Sequence, residues 1–79
     1  MSPTAFKEQA YRFFFFLREE KRMHVHVASA DGEAKLWLEP KPHPAKNYRL
    51  SQKQLQQIES ILEAHYDELI GAWRHHFGN

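Results

Sequence analysis

A chain of 79 residues without cysteine is long enough for one domain and cannot be a disulfide scaffold, a thiol enzyme or a zinc site built on thiolates. Its formal net charge of +1 does not require a polyanionic partner, and no apolar run approaches the roughly 20 residues of a membrane-spanning helix. A small domain without disulfides is most simply cytoplasmic.

The N-terminal half of the chain predicts an antiparallel sheet. Residues 4–8 form a short first strand, with Pro3 at its start, where a missing N–H is tolerated. Residues 11–17 are a continuous run of aromatic and apolar side chains, interrupted only by Arg12. At that length the run favours a strand buried on both faces over a helix. Residues 18–22 are all charged and indicate a solvated turn.

Residues 23–29 and 33–39 predict a β-hairpin around Asp31 and Gly32, because Asp-Gly is a strong signal for a two-residue turn. The resulting register sorts the side chains into two faces, since a slip of one residue would mix them. On the apolar face the expected pairs are Val27 with Leu36 and Val25 with Leu38. On the other face they are His26 with Trp37 and His24 with Glu39.

A single long helix is predicted for the C-terminal third. Residues 40–50 contain three prolines and read as a proline-rich loop. Ser51 is a good N-cap, and Gln54 completes a capping box. At 100° per residue one apolar arc runs along residues 52–77. Its members are Leu55, Ile58, Leu62, Tyr66, Leu69, Trp73 and Phe77. Gly71 is the expected weak point of this helix.

The predicted fold is therefore α+β: one domain over residues 1–79, with an antiparallel three- to four-stranded sheet in residues 4–39 packed on one long C-terminal amphipathic helix. No glycine-rich phosphate loop or nucleophile elbow is present. The sequence predicts no cofactor, and an enzyme is the less favoured class.

His24 and His26 are the first candidate for chemistry. At i and i+2 on a strand they project from the same face, and imidazole is the commonest metal ligand. Glu39 is a possible third ligand, so a small metal-assisted hydrolase or ribonuclease is one hypothesis. The alternative is that histidine beside tryptophan on a half-exposed sheet is ordinary packing or faces a partner.

Three more histidines lie towards the end of the helix, at His65, His75 and His76. The eleven residues between His65 and His76 place them too far apart to bind one metal as a pair on one turn. A solvated helix end, where histidine complements the helix dipole, is the simpler interpretation.

Basic residues dominate positions 35–53, where Glu39 is the one acidic residue. Lys41, Lys46 and Arg49 lie in the predicted proline-rich loop, with Tyr48 beside them. Such a loop could contact nucleic-acid phosphates. Because the cluster is sparse, a solvated surface is the favoured interpretation.

Several segments, in this order, resemble the domain of unknown function family numbered 4160, a family of short prokaryotic proteins. They are residues 11–15 (Tyr-Arg-Phe-Phe-Phe), 24–27 (His-Val-His-Val), 31–40 (Asp-Gly-Glu-Ala-Lys-Leu-Trp-Leu-Glu-Pro), 69–73 and 77–78. Family members commonly carry prolines before the His-x-His-Val segment, whereas this chain has residues 21–23 (Lys-Arg-Met). The resemblance implies a partner, another small protein encoded nearby, in a toxin–antitoxin-like module. It implies no catalytic residues.

The leading hypothesis is a protein-interaction domain. One helix covers one face of a small sheet, yet the run at residues 11–17 is apolar on both. The second face, with His24, His26, Trp37 and Glu39, then needs a cover, which a homodimer or a small neighbour-encoded protein would supply. A weak nucleic-acid-binding domain is the remaining alternative.

Overall fold

The computed structural model describes residues 4–15 and 22–77, and it describes side chains over 6–15 and 22–75. Five strands precede two helices in the chain. The strands are β1 (Thr4–Glu8), β2 (Tyr11–Phe14), β3 (His24–Ala28), β4 (Glu33–Trp37) and β5 (His43–Tyr48), and the helices are α1 (Gln52–Ala64) and α2 (Tyr66–Phe77). The α+β class is confirmed, with one strand and one helix more than predicted.

The five strands form one antiparallel sheet in chain order, β1-β2-β3-β4-β5, so that β1 and β5 are its edges. The first predicted strand is confirmed at its predicted bounds. The aromatic run begins as a strand at Tyr11, as predicted, and its strand ends at Phe14. The predicted burial on both faces is found for Phe13, which is fully buried, and for Phe14, which is 9% exposed. The predicted charged turn lies mostly outside the described residues.

The proline-rich loop predicted over residues 40–50 is wrong, because residues 43–48 form the fifth strand. Within this strand Pro44 is the only proline, and it lies on the edge of the sheet. An edge strand tolerates a residue that cannot donate to the ladder. The prolines therefore mark an edge strand and the segment that leads into it, rather than an irregular loop.

The hairpin is confirmed, but its predicted register is wrong by two residues. The observed pairs are His24 with Trp37, Val25 with Leu36, His26 with Lys35, and Val27 with Ala34. The loop has four residues, 29–32, rather than two. Ser29 organises it: its N–H donates to the carbonyl of Gly32 at 2.9 Å, and its Oγ accepts from the N–H of Asp31 at 3.3 Å. A shift of two keeps every side chain on its predicted face.

The C-terminal helix starts as predicted and then breaks. The Ser51 hydroxyl accepts from the Gln54 N–H at 3.1 Å, and the Gln54 side chain accepts from the Ser51 N–H at 2.9 Å. The break is at His65, not at Gly71, which continues in α2. A straight helix of 26 residues would measure about 39 Å, whereas the longest dimension of the molecule is 33 Å. The break lets the second segment follow the sheet.

One apolar core lies between the helices and one face of the sheet. The predicted arc supplies the helical side: Leu55, Ile58, Leu62, Leu69 and Trp73 are buried and Tyr66 is half-buried, while the side chain of Phe77 lies outside the described residues. Two tyrosine hydroxyls link the sheet to the helices. Tyr11 Oη donates to Gln57, and Tyr66 Oη donates to the Leu38 carbonyl. Within residues 4–15 and 22–77, neither helix has the length and apolar character needed to cross a membrane.

Candidate interaction face

The sheet face opposite the helices is the candidate functional surface, and we call it the open face. Strand alternation assigns side chains to it, because Phe6, Tyr11, Val25 and Leu36 point to the core. Its members are Lys7, Arg12, Phe14, His24, His26, Ala28, Glu33, Lys35, Trp37, His43, Lys46 and Tyr48. It is rich in cations and rings, with Glu33 as its one carboxylate among the described residues.

A β-bulge in β5 determines what the open face displays at that edge. Pro44 pairs with Leu36, but the next pairing is Lys46 with Lys35, so Ala45 is the extra residue. Without the bulge Ala45 would oppose Lys35, and Lys46 would lie opposite Ala34 on the helix side of the sheet, where the exposed Asn47 now lies. Bulges re-aim side chains in this way and are common beside functional sites.

The central row of the open face crosses four strands. Phe14, His26, Lys35 and Lys46 are successive cross-strand partners. The Phe14 and His26 rings stack at 5.5 Å between centroids, and the Arg12 guanidinium lies 4.5 Å above the Phe14 ring. A cation–π contact of this kind is favourable, and it places the guanidinium on the solvent side of the Phe14 ring.

A second row runs through His24, Trp37 and His43 at one end of the sheet. Arg22 and Lys35 both lie over the Trp37 ring, at 4.3 and 4.6 Å from its centroid. Arg22 also donates to the Glu39 carbonyl at 3.0 Å and lies 3.3 Å from His43 Nε2. Trp37 is therefore held beneath two cations.

Like charges face each other at both edges of the open face. Lys7 pairs with Arg12 on β1 and β2, and Lys35 pairs with Lys46 on β4 and β5. Like charges directly opposite each other in a sheet are destabilising. The exposed pair of Lys7 and Arg12 is therefore unfavourable, whereas the ammonium of Lys35 lies over the Trp37 ring.

The helical layer has the opposite charge. Residues 52–77 contain two basic residues, Lys53 and Arg74, and four acidic residues, Glu59, Glu63, Asp67 and Glu68. Their net charge is −2, which leaves +3 for the rest of a chain whose total is +1. The molecule is polarised, with positive charge on the sheet side.

The histidine pair singled out from sequence lies on the open face, but its surroundings are those of a packed ring. His24 is 2% exposed, and its Nδ1 donates to the Arg22 carbonyl at 2.8 Å. Its ring contacts Trp73 at 5.1 Å and His26 at 5.4 Å. Glu39 lies beyond the end of β4 rather than opposite His24. Across residues 4–15 and 22–77, no three potential ligands are grouped to hold a metal ion.

The three basic residues predicted for nucleic-acid contact are spread along β5. Lys41 precedes the strand and lines a separate hollow of about 210 Å³ with Pro40, Pro42, Glu63 and Tyr66. Lys46 is on the open face, and Arg49 follows the strand with a φ of 76°. Eight residues of extended chain separate Lys41 from Arg49, about 26 Å. The structure does not gather these side chains into one site.

Sequence reasoning placed His24, His26 and Trp37 on one face. It named Lys46 only as a nucleic-acid contact in a loop, and it did not place Lys7 or Lys35 on this face. Lys7, Lys35 and Lys46 have no distinctive spacing in the sequence. Strand alternation on β1 and β4 was the signal available for the first two. Lys46 was hidden, because both the edge strand and its bulge are needed to place it.

A second charged cluster lies on the core side of the sheet, at the helix break. His65 Nε2 is 2.8 Å from a carboxylate oxygen of Glu8 on β1, and His65 Nδ1 is 3.2 Å from one of Glu68 on α2. These hydrogen bonds, first to Glu8 and then to Glu68, raise the pKa of His65 above its usual 6.5. The Phe6 ring lies tilted against the same imidazole, with 4.7 Å between the ring centroids.

Comparison with known proteins gives one match. A family model described as Domain of unknown function (DUF4160) matches residues 10–74. No curated protein matches the chain, and no solved structure matches it. The matched range covers β2 to β5, α1 and most of α2, and therefore nearly all of the open face.

Proposed function

The chain belongs to the Domain of unknown function (DUF4160) family, and because that description names no activity, we propose a function from the open face: the protein is an interaction domain that binds a second, acidic protein there. The observation that carries the proposal is the positive charge of the open face, where the exposed cations Lys7 and Arg12 lie directly opposite each other. A negatively charged surface would relieve the repulsion between them.

Charge also favours a different protein over a second copy. Two open faces pressed together in a symmetric dimer would bring Arg12, Lys35 and Lys46 against the same cations of the other copy. Like charges juxtaposed across an interface cost several kcal/mol. The neighbour-encoded protein implied by the family resemblance is the first candidate, in a two-protein module of the toxin–antitoxin type.

The size of the face sets the expected strength of binding. Five strands about 4.8 Å apart, each about five residues long, give a footprint of roughly 400 Å². A standard stable interface takes roughly 800 Å² from each partner. We therefore expect a transient complex, or one in which the partner also contacts an edge of the sheet.

A nucleic acid fits the face less well than a protein does. Single strands bind through rings on which bases stack. On the open face the Phe14 ring is 9% exposed and lies beneath Arg12. Two cations already lie over the Trp37 ring. Among the described aromatic residues of the open face, Tyr48 alone is largely exposed, at 57%.

The test is capture of the partner from the native cell, followed by mass determination of the complex. The open-face variant Lys7→Glu with Arg12→Glu reverses two cations. The matched control, Lys53→Glu with Arg74→Glu, makes the same charge change on exposed helix positions. We expect the wild type and the control to retain one acidic protein in fixed stoichiometry and the open-face variant to lose it. Equal retention by both variants, or loss of the complex on nuclease treatment, would contradict the proposal.

A further inference from the structure

We propose that the acidic partner adds a strand to the outer edge of β1, through an extended segment whose acidic side chains lie on the open face beside Lys7. This inference rests on the proposed function, because it names the way in which the acidic protein is held. The observations behind it are the area of the open face, the difference between the two sheet edges, and the backbone and charge of β1.

The area of the open face indicates that the partner extends beyond it. The face measures roughly 400 Å², whereas each partner contributes roughly 800 Å² to a standard stable interface. A strand added to a sheet edge gains main-chain hydrogen bonds as well as side-chain contacts. Edge pairing therefore supplies what the face lacks, and it requires no rearrangement of the sheet.

The two edges of the sheet differ in their capacity to pair with a further strand. β5 contains Pro44, which has no N–H, and a bulge at Ala45. Natural sheets protect their edges from further pairing with prolines and bulges of this kind. β1 contains no proline, and its pairing with β2 is regular from Phe6 to Glu8. Among the described strands it pairs with β2 alone, so β1 is the edge suited to accept a strand.

The turn between β1 and β2 determines which backbone groups point outward. Glu8 pairs with Tyr11 across a two-residue turn, and Gln9 in that turn has a φ of 56°, as tight hairpin turns require. The pair that flanks such a turn exchanges both N–H···O bonds, and the next pair does not. Lys7 and Arg12 are that next pair. Lys7 therefore directs its N–H and C=O to the outer edge.

Charge determines which side chains the added strand carries on the open face. Lys7 and Arg12 are exposed, and side chains come closest in a non-hydrogen-bonded pair of this kind. Arg12 lies over the Phe14 ring, but a stacked guanidinium keeps its charge, and its N–H donors point along its own plane. An acidic residue directly opposite Lys7 on the added strand lowers the repulsion between the two cations.

On the helix side the added strand lies beside a hollow of about 330 Å³ between the end of β1 and α1. Its lining is mostly polar and consists of Glu8, Gln9, Gln57, Ser60, Ile61 and Ala64. Residues that alternate with the acidic ones point to this side. Threonine suits the lining, because its hydroxyl can donate to the Glu8 carboxylate and its branched side chain favours a strand.

The probes are three capped hexapeptides that alternate glutamate with threonine and carry the same charge. The first is unmodified, the second is N-methylated at each glutamate, and the third is N-methylated at each threonine. A residue paired with Lys7 shares its face and directs its N–H to β1, so methylation at glutamate removes the pairing donors. Methylation at threonine removes only N–H groups that point away from β1.

The readout is the two-dimensional amide spectrum of the whole chain. We expect the unmodified peptide and the threonine-methylated peptide to give saturable shifts in β1 and to slow hydrogen exchange of the Lys7 amide. Methylation at glutamate should weaken binding roughly tenfold or more, as for the loss of one or two hydrogen bonds.

Two substitutions of Lys7 separate its backbone from its charge. Lys7→Pro removes the outward N–H at an edge position, where proline is tolerated, and Lys7→Gln removes the charge alone. Lys7→Gln should weaken binding of the unmodified peptide roughly two- to fivefold, as for one exposed ion pair. Lys7→Pro should weaken it by a further factor of roughly ten. Shifts of the Arg12 amide measure both affinities, and the spectrum establishes that each variant is folded.

Four results would overturn the inference. They are no saturable binding, equal binding of the three peptides, equal weakening by the two substitutions of Lys7, and a dimeric wild type whose Lys7 amide is already protected without peptide. The last result would assign the edge to a second copy of the chain.

The proposed function is tested separately, since partner capture with Lys7→Glu and Arg12→Glu reports on charge and the methylated peptides report on hydrogen bonds. Loss of the captured protein in that variant, together with equal binding of the three peptides, would leave the interaction domain standing and dispose of the added strand.

Discussion

His65 is the side chain through which β1 is held to the junction of the two helices. Its two ring nitrogens face carboxylates of Glu8 and Glu68, an arrangement that requires both nitrogens to carry protons. Hydrogen bonding to Glu8 is the main cause of its raised pKa. Since the pKa is higher in the folded chain than in the unfolded chain, protonation of His65 stabilises the fold.

The pH dependence of stability follows from that shift. The contribution of His65 is fully present below its unfolded pKa of about 6.5 and disappears as the pH rises through the raised folded value. The free energy of unfolding of the wild type should therefore exceed that of His65→Gln most at pH 5.5 to 6, and the difference should narrow above neutrality. Denaturant unfolding of both proteins across this range measures it. A difference that is constant with pH would exclude the ion pairs as its source.

Gly32 and Gly71 form a matched pair for glycine substitution. A Cβ at Gly32 would collide with the carbonyl oxygen of Tyr48, whereas a Cβ at Gly71 meets nothing within 4 Å. Gly32→Ala should lower the free energy of unfolding by about 1–3 kcal/mol, as overpacking does. Gly71→Ala, in an exposed turn of α2, should raise it by about 0.5–1 kcal/mol. Equal effects in denaturant unfolding would contradict this account of the hairpin loop.

At the level of elements, the start of α1 is tied to the β3–β4 loop as well as to its own cap. Gln54 both completes the capping box and donates from Nε2 to Asp31 at 2.9 Å. Ser51→Ala removes one side of the box and should cost about 1 kcal/mol of stability. Thermal or denaturant unfolding measures the loss, and Ser60→Ala, at an exposed position in the interior of the same helix, is the control. An equal loss in both variants would mean that the cap has no special role.

The sequence predicted the elements whose signals are local. The Ser51 cap, the aromatic strand at Tyr11 and the hairpin each depend on a few neighbouring residues. The fifth strand was missed because its prolines resemble a loop, and only its place at the sheet edge makes Pro44 acceptable. The predicted register of the hairpin was wrong by two residues because Gly32 is not part of a two-residue turn. Gly32 instead allows the close approach of Tyr48. The helix break at His65 has no glycine or proline to mark it, and the side chain there is hydrogen-bonded to Glu8, 57 residues away in the chain.

The bulged pair of β4 and β5 carries a prediction of its own. Lys46→Gln removes the like-charge contact with Lys35 and should raise the free energy of unfolding by a few tenths of a kcal/mol, up to about 1. High salt, which screens exposed charges, should abolish the gain in stability. A loss of stability in Lys46→Gln would contradict repulsion between the two lysines.

Considered whole, the molecule has a covered face and an open face of different character. The helices bury one side of the sheet in a continuous apolar core. The other side displays cations lying over partly buried rings, while acidic residues outnumber basic ones in the helical layer. The sequence reasoning was correct that His24, His26 and Trp37 share one face of the sheet, although the His24 ring also contacts Trp73 of α2. The positive charge of that face emerged only from the strand pairing.

The central claim, that the partner binds the open face, is tested most directly by cysteine footprinting. The chain has no native cysteine, so single substitutions report cleanly. Ala28→Cys lies on the open face at the end of the central strand β3, between Arg12 and Glu33, and Ser60→Cys lies on the exposed side of α1. Bound partner should slow alkylation of the first thiol and leave the second unchanged. Protection of position 60 with free access to position 28 would place the interface on the helices and contradict the account.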